Sequence, residues 1–100
     1  MQIKTDQLVE LSEVFKLLGD PTRLRILLTC LEQEMTVGEI VTASEASQSL
    51  VSHHLRLLRA ARLVKPRREG RHIYYRAHDD HIRCTLKDMI EHVQEEEDMV

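Results

Sequence analysis

The chain has no tryptophan and only three aromatic residues, Phe15, Tyr74 and Tyr75. Scarce aromatics argue against an aromatic-rich β sandwich and for a core of Leu, Ile and Val carried on helices. No apolar run reaches the length of a membrane span, and the polar opening MQIKTDQ lacks the apolar stretch of a secretory signal, so a cytoplasmic protein with no membrane partner is expected. Two cysteines, Cys30 and Cys84, are too few for a disulfide framework and read as reduced thiols. With three glycines there is no phosphate-cradling glycine loop, and no nucleophile motif is present, so an enzyme is not expected.

What is present fits a single domain over residues 1–100. The apolar share is 42%, enough for one packed core. The net charge of −3 hides a strong asymmetry. From Arg56 to Arg76, eight bases stand against one acid, Glu69; from Asp79 onward, eight acids stand against Arg83 and Lys87. A basic middle suits an anionic partner, and the acidic end suits a different role.

Hydrophobic spacing places the elements. Leu8, Leu11, Phe15 and Leu18 line one face of a first helix over Thr5 to Leu18. Gly19-Asp20-Pro21 ends it and starts a second, with Asp20 as cap and Pro21 at the first helical position. That second helix is expected to run to about Glu32, with Leu24, Leu27, Leu28 and Leu31 inward. Thr36-Val37-Gly38-Glu39 has the form of a capping box and opens a short third helix, to about Thr42. After the turn Ala43–Ala46, Ser47 caps a fourth helix, Gln48 to Ala61, buried through Val51, Leu55 and Leu58. Strands Leu63–Arg68 and His72–Arg76 form a hairpin about Glu69-Gly70-Arg71. Asp79 or Asp80 caps a last helix to about Glu95, with Ile82, Leu86, Met89 and Val93 as a heptad-like seam. The expected fold is mainly α with a small β-hairpin wing: a winged helix-turn-helix in the order α-α-α-α-β-β-α.

A short helix, a tight turn and an amphipathic helix, followed by a basic hairpin, is a DNA-reading arrangement. Gln48, Ser49, Ser52 and His53 near the start of the fourth helix are expected to reach bases or phosphates, with Arg56 on the backbone. Arg67, Arg68 and Arg71 make a basic wing tip. His54 and His72 read as surface or boundary residues.

The stretch Leu17-Leu18-Gly19-Asp20-Pro21-Thr22-Arg23-Leu24-Arg25-Ile26-Leu27 resembles the opening signature of the ArsR/SmtB metalloregulator family. So do the run Ser47 to Arg59, Leu63-Val64, and Gly70-Arg71-His72-Ile73-Tyr74-Tyr75. The resemblance covers nearly the whole chain. It implies a homodimeric repressor of operator DNA, paired through its first and last helices, that loses DNA affinity when an inducer binds. The thiolate pattern that some relatives carry in the third helix is missing, since Met35 to Ile40 holds no cysteine. The family's other site, D-x-H-x10-H-x2-[EH] across paired last helices, is matched by Asp79, His81, His92 and Glu95.

That set is physically coherent. His81 and His92 are eleven residues apart and share a helix face, but stand roughly 16 Å apart along the axis. One helix cannot fold both around one ion. An antiparallel partner could bring Asp79 and His81 of one subunit against His92 and Glu95 of the other, giving two equivalent sites. Nitrogen and oxygen donors without sulfur point to Zn2+, with Co2+ compatible; Ni2+ would call for further ligands such as His78. Four protein ligands leave no open position for hydrolytic water. A rival reading is a thiol-responsive repressor acting through Cys30 or Cys84.

Overall fold

The computed structural model describes residues 1–95. Its elements are α1 (Thr5–Leu18), α2 (Pro21–Thr29), β1 (Met35–Thr36), α3 (Val37–Ser44), α4 (Gln48–Ala60), β2 (Val64–Glu69), β3 (His72–Ala77) and α5 (Asp80–Glu95). This is the expected winged helix-turn-helix with one addition. The two-residue β1 pairs with β3, so the wing is a three-stranded antiparallel sheet in the order β1-β3-β2. Glu96, Glu97 and Asp98 of the acidic end lie outside the described residues.

Local chemistry accounts for the boundaries. The Asp20 side chain accepts from the Arg23 N–H at 3.1 Å, with Pro21 at the first helical position. Gly19 closes α1 at an ordinary φ of −71°, so left-handed freedom is not what it supplies there. Closeness is: a Cβ would stand 3.2 Å from the Lys16 carbonyl. Thr36 and Glu39 form the reciprocal capping box, Glu39 N–H to Thr36 Oγ1 at 3.2 Å and Thr36 N–H to Glu39 Oε1 at 2.8 Å. Ser47 caps α4 through the Leu50 N–H at 3.2 Å. In the wing, Glu69 pairs with His72 across Gly70-Arg71, and Gly70 takes φ +62° at the first central position of this two-residue turn.

Two expected boundaries shift by more than one residue. α2 ends at Thr29, before the expected Glu32, yet Leu31 is still buried just beyond it. α3 runs on to Ser44, and Glu45 then adopts φ +60° to make the turn into α4.

The core joins Ile26, Leu27 and Cys30 of α2, Ile40 of α3, Val51, Leu55 and Leu58 of α4, and Leu63 and Val64 at the wing root. α1 and α5 have no buried residue. Val14, Leu17, Leu18, Ile82 and Leu86 lie half-buried on the core, while Leu8, Leu11, Phe15, Met89 and Val93 stay exposed. The radius of gyration, 14.7 Å, exceeds the roughly 13 Å of a compact domain this size. No described helix is long and apolar enough to cross a membrane.

Candidate functional site

The helix-turn-helix is α3, the turn at Glu45–Ser47, and α4. The buried positions Val51, His54, Leu55 and Leu58 fix one face of α4 inward. Spacing then turns Ser49, His53 and Arg56 outward; all three are exposed, as is Gln48, while Ser52 is half-buried at the edge. Leu50, 41% exposed in the first turn, was not singled out by pattern because its apolar side chain resembles core. An exposed apolar group at that position can meet a thymine methyl.

His54 is not a surface residue. It is 6% exposed and sits in a polar hub that joins three elements. Arg23 donates from Nε to His54 Nδ1 at 3.2 Å and from Nη1 to the Leu17 carbonyl at 2.8 Å. An acceptor at Nδ1 puts the ring proton on Nε2, which faces Asp20 Oδ2 at 3.6 Å. The hub ties the end of α1, the start of α2 and the back of the recognition helix. Burial is the main force lowering the His54 pKa below 6.5; the Arg23 charge adds to it, against the pull of Asp20.

A depressed folded pKa fixes the sign of the pH effect. The stabilisation is fully present above the unfolded value of 6.5 and is lost as pH falls through the lower folded value. Urea midpoints at about pH 7.5 and about pH 5 should therefore differ, with the acidic sample weaker. His54→Asn keeps an acceptor near Nδ1 but does not titrate, so its midpoint should shift less. An unchanged pH shift in that variant would assign the effect elsewhere.

The wing carries Arg68 and Arg71, exposed like Arg67 but without a carboxylate in ion-pair range among the described residues. Arg67 is placed differently. Its Nε and Nη2 donate to the Glu34 carboxylate at 2.9 Å, its Nη1 to Glu69 Oε2 at 3.0 Å, and its guanidinium lies 4.9 Å from the Tyr74 ring centre. The Arg67 hydrogen bond holds the Glu34 pKa below the carboxylate norm, and the two carboxylates hold that of Arg67 up.

At the other end of the chain, Asp79 is the cap of α5: its Oδ1 accepts from the Ile82 N–H at 3.0 Å. Oδ2 stands 3.9 Å from His81 Nδ1, and the His81 side chain is 96% exposed. The cap bond, with the nearby His81 and His78, keeps the Asp79 pKa low. His92 and Glu95, a turn apart on α5, are both exposed. Among the described residues of one chain, no three potential ligands converge on one point. Of the four candidates, Asp79 and His81 meet at the helix start, and His92 and Glu95 share the far end of the same helix.

The two thiols differ. Cys30 is buried, its Sγ toward the Ile26 and Leu27 carbonyls at 3.7 and 3.5 Å, and burial pushes its pKa up to about 11. Such a thiol is unreactive near neutrality. Cys84 is exposed.

Residues 20–65 match the bacterial regulatory protein, arsR family, profile. The transcriptional repressor SmtB homolog of Synechocystis sp. is 42% identical over 90 residues, covering 90% of this chain and 68% of its own length. The cadmium resistance transcriptional regulatory protein CadC homolog of Staphylococcus aureus is 35% identical, covering 87% and 73%. These relatives are transcriptional regulators and not enzymes. Among solved structures, the homodimeric winged helix-turn-helix DNA-binding domain from Mycobacterium bovis aligns with a TM-score of 0.83 at 28% identity, covering 96% of this chain and 93% of that one.

Proposed function

The chain belongs to the ArsR/SmtB family of bacterial transcriptional regulators, and from that premise we propose that it is a homodimeric repressor released from operator DNA by zinc or cobalt. The single observation that carries this reading is the composition of α5. It presents Asp79 and His81 at one end and His92 and Glu95 at the other, all exposed, on a helix whose Met89 and Val93 are also uncovered. Ligands split between the ends of one helix suit a site completed by a second, antiparallel copy. Pairing through α1 and α5 also accounts for the exposed Leu8, Leu11 and Phe15.

The residues fit the ion. Asp79 spends one oxygen on the helix cap and leaves the other beside His81. The donors are nitrogen and oxygen, as zinc and cobalt accept, and sulfur is not needed. A bound divalent ion supplies a bridge between subunits. An ion that binds one quaternary arrangement better shifts the dimer toward it. If that arrangement spaces the two α4 helices wrongly for half-sites one helical turn apart, DNA affinity falls. Gln48, Ser49, Ser52, His53 and Arg56 of α4 read the major groove, with Arg68 and Arg71 on a flanking stretch.

The test is a zinc titration of the protein on a labelled DNA duplex selected from a random library, followed by fluorescence anisotropy at fixed salt. Zinc should release the DNA. Bound DNA at saturating zinc, in a protein shown to hold the metal, would leave a DNA-binding protein and remove the sensor.

A further inference from the structure

We propose that Arg67 is a positioning residue of the wing and not one of its phosphate contacts, with Glu34 as its fixed partner. This rests on the DNA-binding reading above, and it separates Arg67 from the two arginines with which sequence pattern groups it.

The register of the hairpin makes the separation. Along β2, Lys65, Arg67 and Glu69 point to one side of the sheet, paired with Arg76, Tyr74 and His72 of β3. Arg68 points to the other side and is paired with Ile73. On the Arg67 side, Tyr74 is also the partner of Thr36 in β1, so Tyr74 is the middle rung of the sheet. Glu34 lies immediately before β1. The guanidinium therefore spans all three strands: it starts on β2, lies over a β3 ring and ends on the carboxylate that leads into β1.

Charge and donor geometry say what this group can still do. Three of its N–H groups are committed to carboxylates, two to Glu34 and one to Glu69, and the Tyr74 ring lies under the plane. Arg67 and its two carboxylates sum to one negative charge, so this guanidinium adds no net positive charge for a phosphate, and what positive charge the face carries comes from Lys65 and Arg76. Single exposed ion pairs are worth little, but a forked arginine–carboxylate pair, a third acid and a ring together hold one geometry. What that geometry fixes is the angle of the hairpin on the α2–β1 connection, and with it where Arg68 and Arg71 arrive.

The experiment compares Arg67→Gln, Glu34→Gln and Arg71→Ala on the same duplex across a range of salt. A phosphate contact contributes about one unit to the slope of log affinity against log salt. Arg71→Ala should lower the slope by about one. Arg67→Gln should weaken binding about fivefold with the slope unchanged. Glu34→Gln should weaken it similarly, although it removes a negative charge from a DNA-binding surface. The double variant should be no weaker than either single one. A lost unit of slope in Arg67→Gln, or tighter binding by Glu34→Gln, would overturn the proposal, leaving Arg67 a contact and Glu34 its competitor. Hydrogen exchange of the β2 and β3 amides without DNA is an independent arm: both glutamine variants should speed it, and unchanged protection would also overturn the proposal. Failure of the parent protein to bind DNA at all would instead remove the functional reading, while the exchange arm still decides what Arg67 does.

Discussion

Mixing two zinc-blind variants is expected to restore a response that neither possesses alone. In the proposed dimer each ion takes Asp79 and His81 from one subunit and His92 and Glu95 from the other. His81→Ala and His92→Ala homodimers each lose one histidine from both sites and should stay on DNA at zinc levels that release the parent. After subunit exchange, about half of the dimers are mixed. One site in each mixed dimer then holds all four ligands, and the other lacks both histidines. Zinc should bind one site per mixed dimer and recover part of the parent's release, which is expected to be about 5- to 150-fold. Anisotropy on the same duplex, with bound metal measured alongside, reads both. No recovery on mixing would mean that the ligands act within one subunit, or that α5 is not the sensing element.

The second large effect concerns pairing itself. Phe15 is 69% exposed on α1, beside Leu8 and Leu11, and takes no part in the core of its own chain. In the proposed dimer this face is covered. Phe15→Glu would bury an unpaired carboxylate there, twice over by symmetry, at about 3 kcal/mol or more each. Sedimentation equilibrium should show monomer where the parent is dimer. Operator affinity should fall by about a hundredfold or more, because two half-sites can no longer be engaged together. Far-ultraviolet circular dichroism separates this from misfolding: the monomer keeps its helices because the α2–α4 core is untouched. A Phe15→Glu protein that remains dimeric would move the interface elsewhere.

Much of this fold is written in short-range signals. Asp20, Ser47 and the Thr36–Glu39 pair cap as their residue types predict, and the spacing of Val51, Leu55 and Leu58 orients α4. What pattern does not reach is partnership across the fold. β1 is two residues long, too short to show alternation, and exists because β3 offers it a free edge. His54 looks like any polar residue of a recognition helix until α2 is packed behind it and Arg23, 31 positions away, supplies a donor. Arg67 looks like its neighbour Arg68 until Glu34 arrives from 33 positions away. The four candidate ligands are what the family resemblance implies, and in one chain Asp79 and His81 stand at one end of α5 with His92 and Glu95 at the other. The exposed face of α1 was legible as apolar; only the structure reveals that its own core leaves Leu8, Leu11 and Phe15 uncovered.

The division of ligands between the two ends of α5 also has a genetic consequence. A cell carrying both an intact allele and a His92→Ala allele would assemble mixed dimers, because the substitution leaves the apolar residues of α1 and α5 unchanged. Every such dimer still reads the operator, yet holds one complete site instead of two. The damaged allele should therefore be felt in the presence of the good one, as a partly dominant failure to induce. A change in the α2–α4 core that prevents folding would be recessive, since an unfolded subunit finds no partner to spoil.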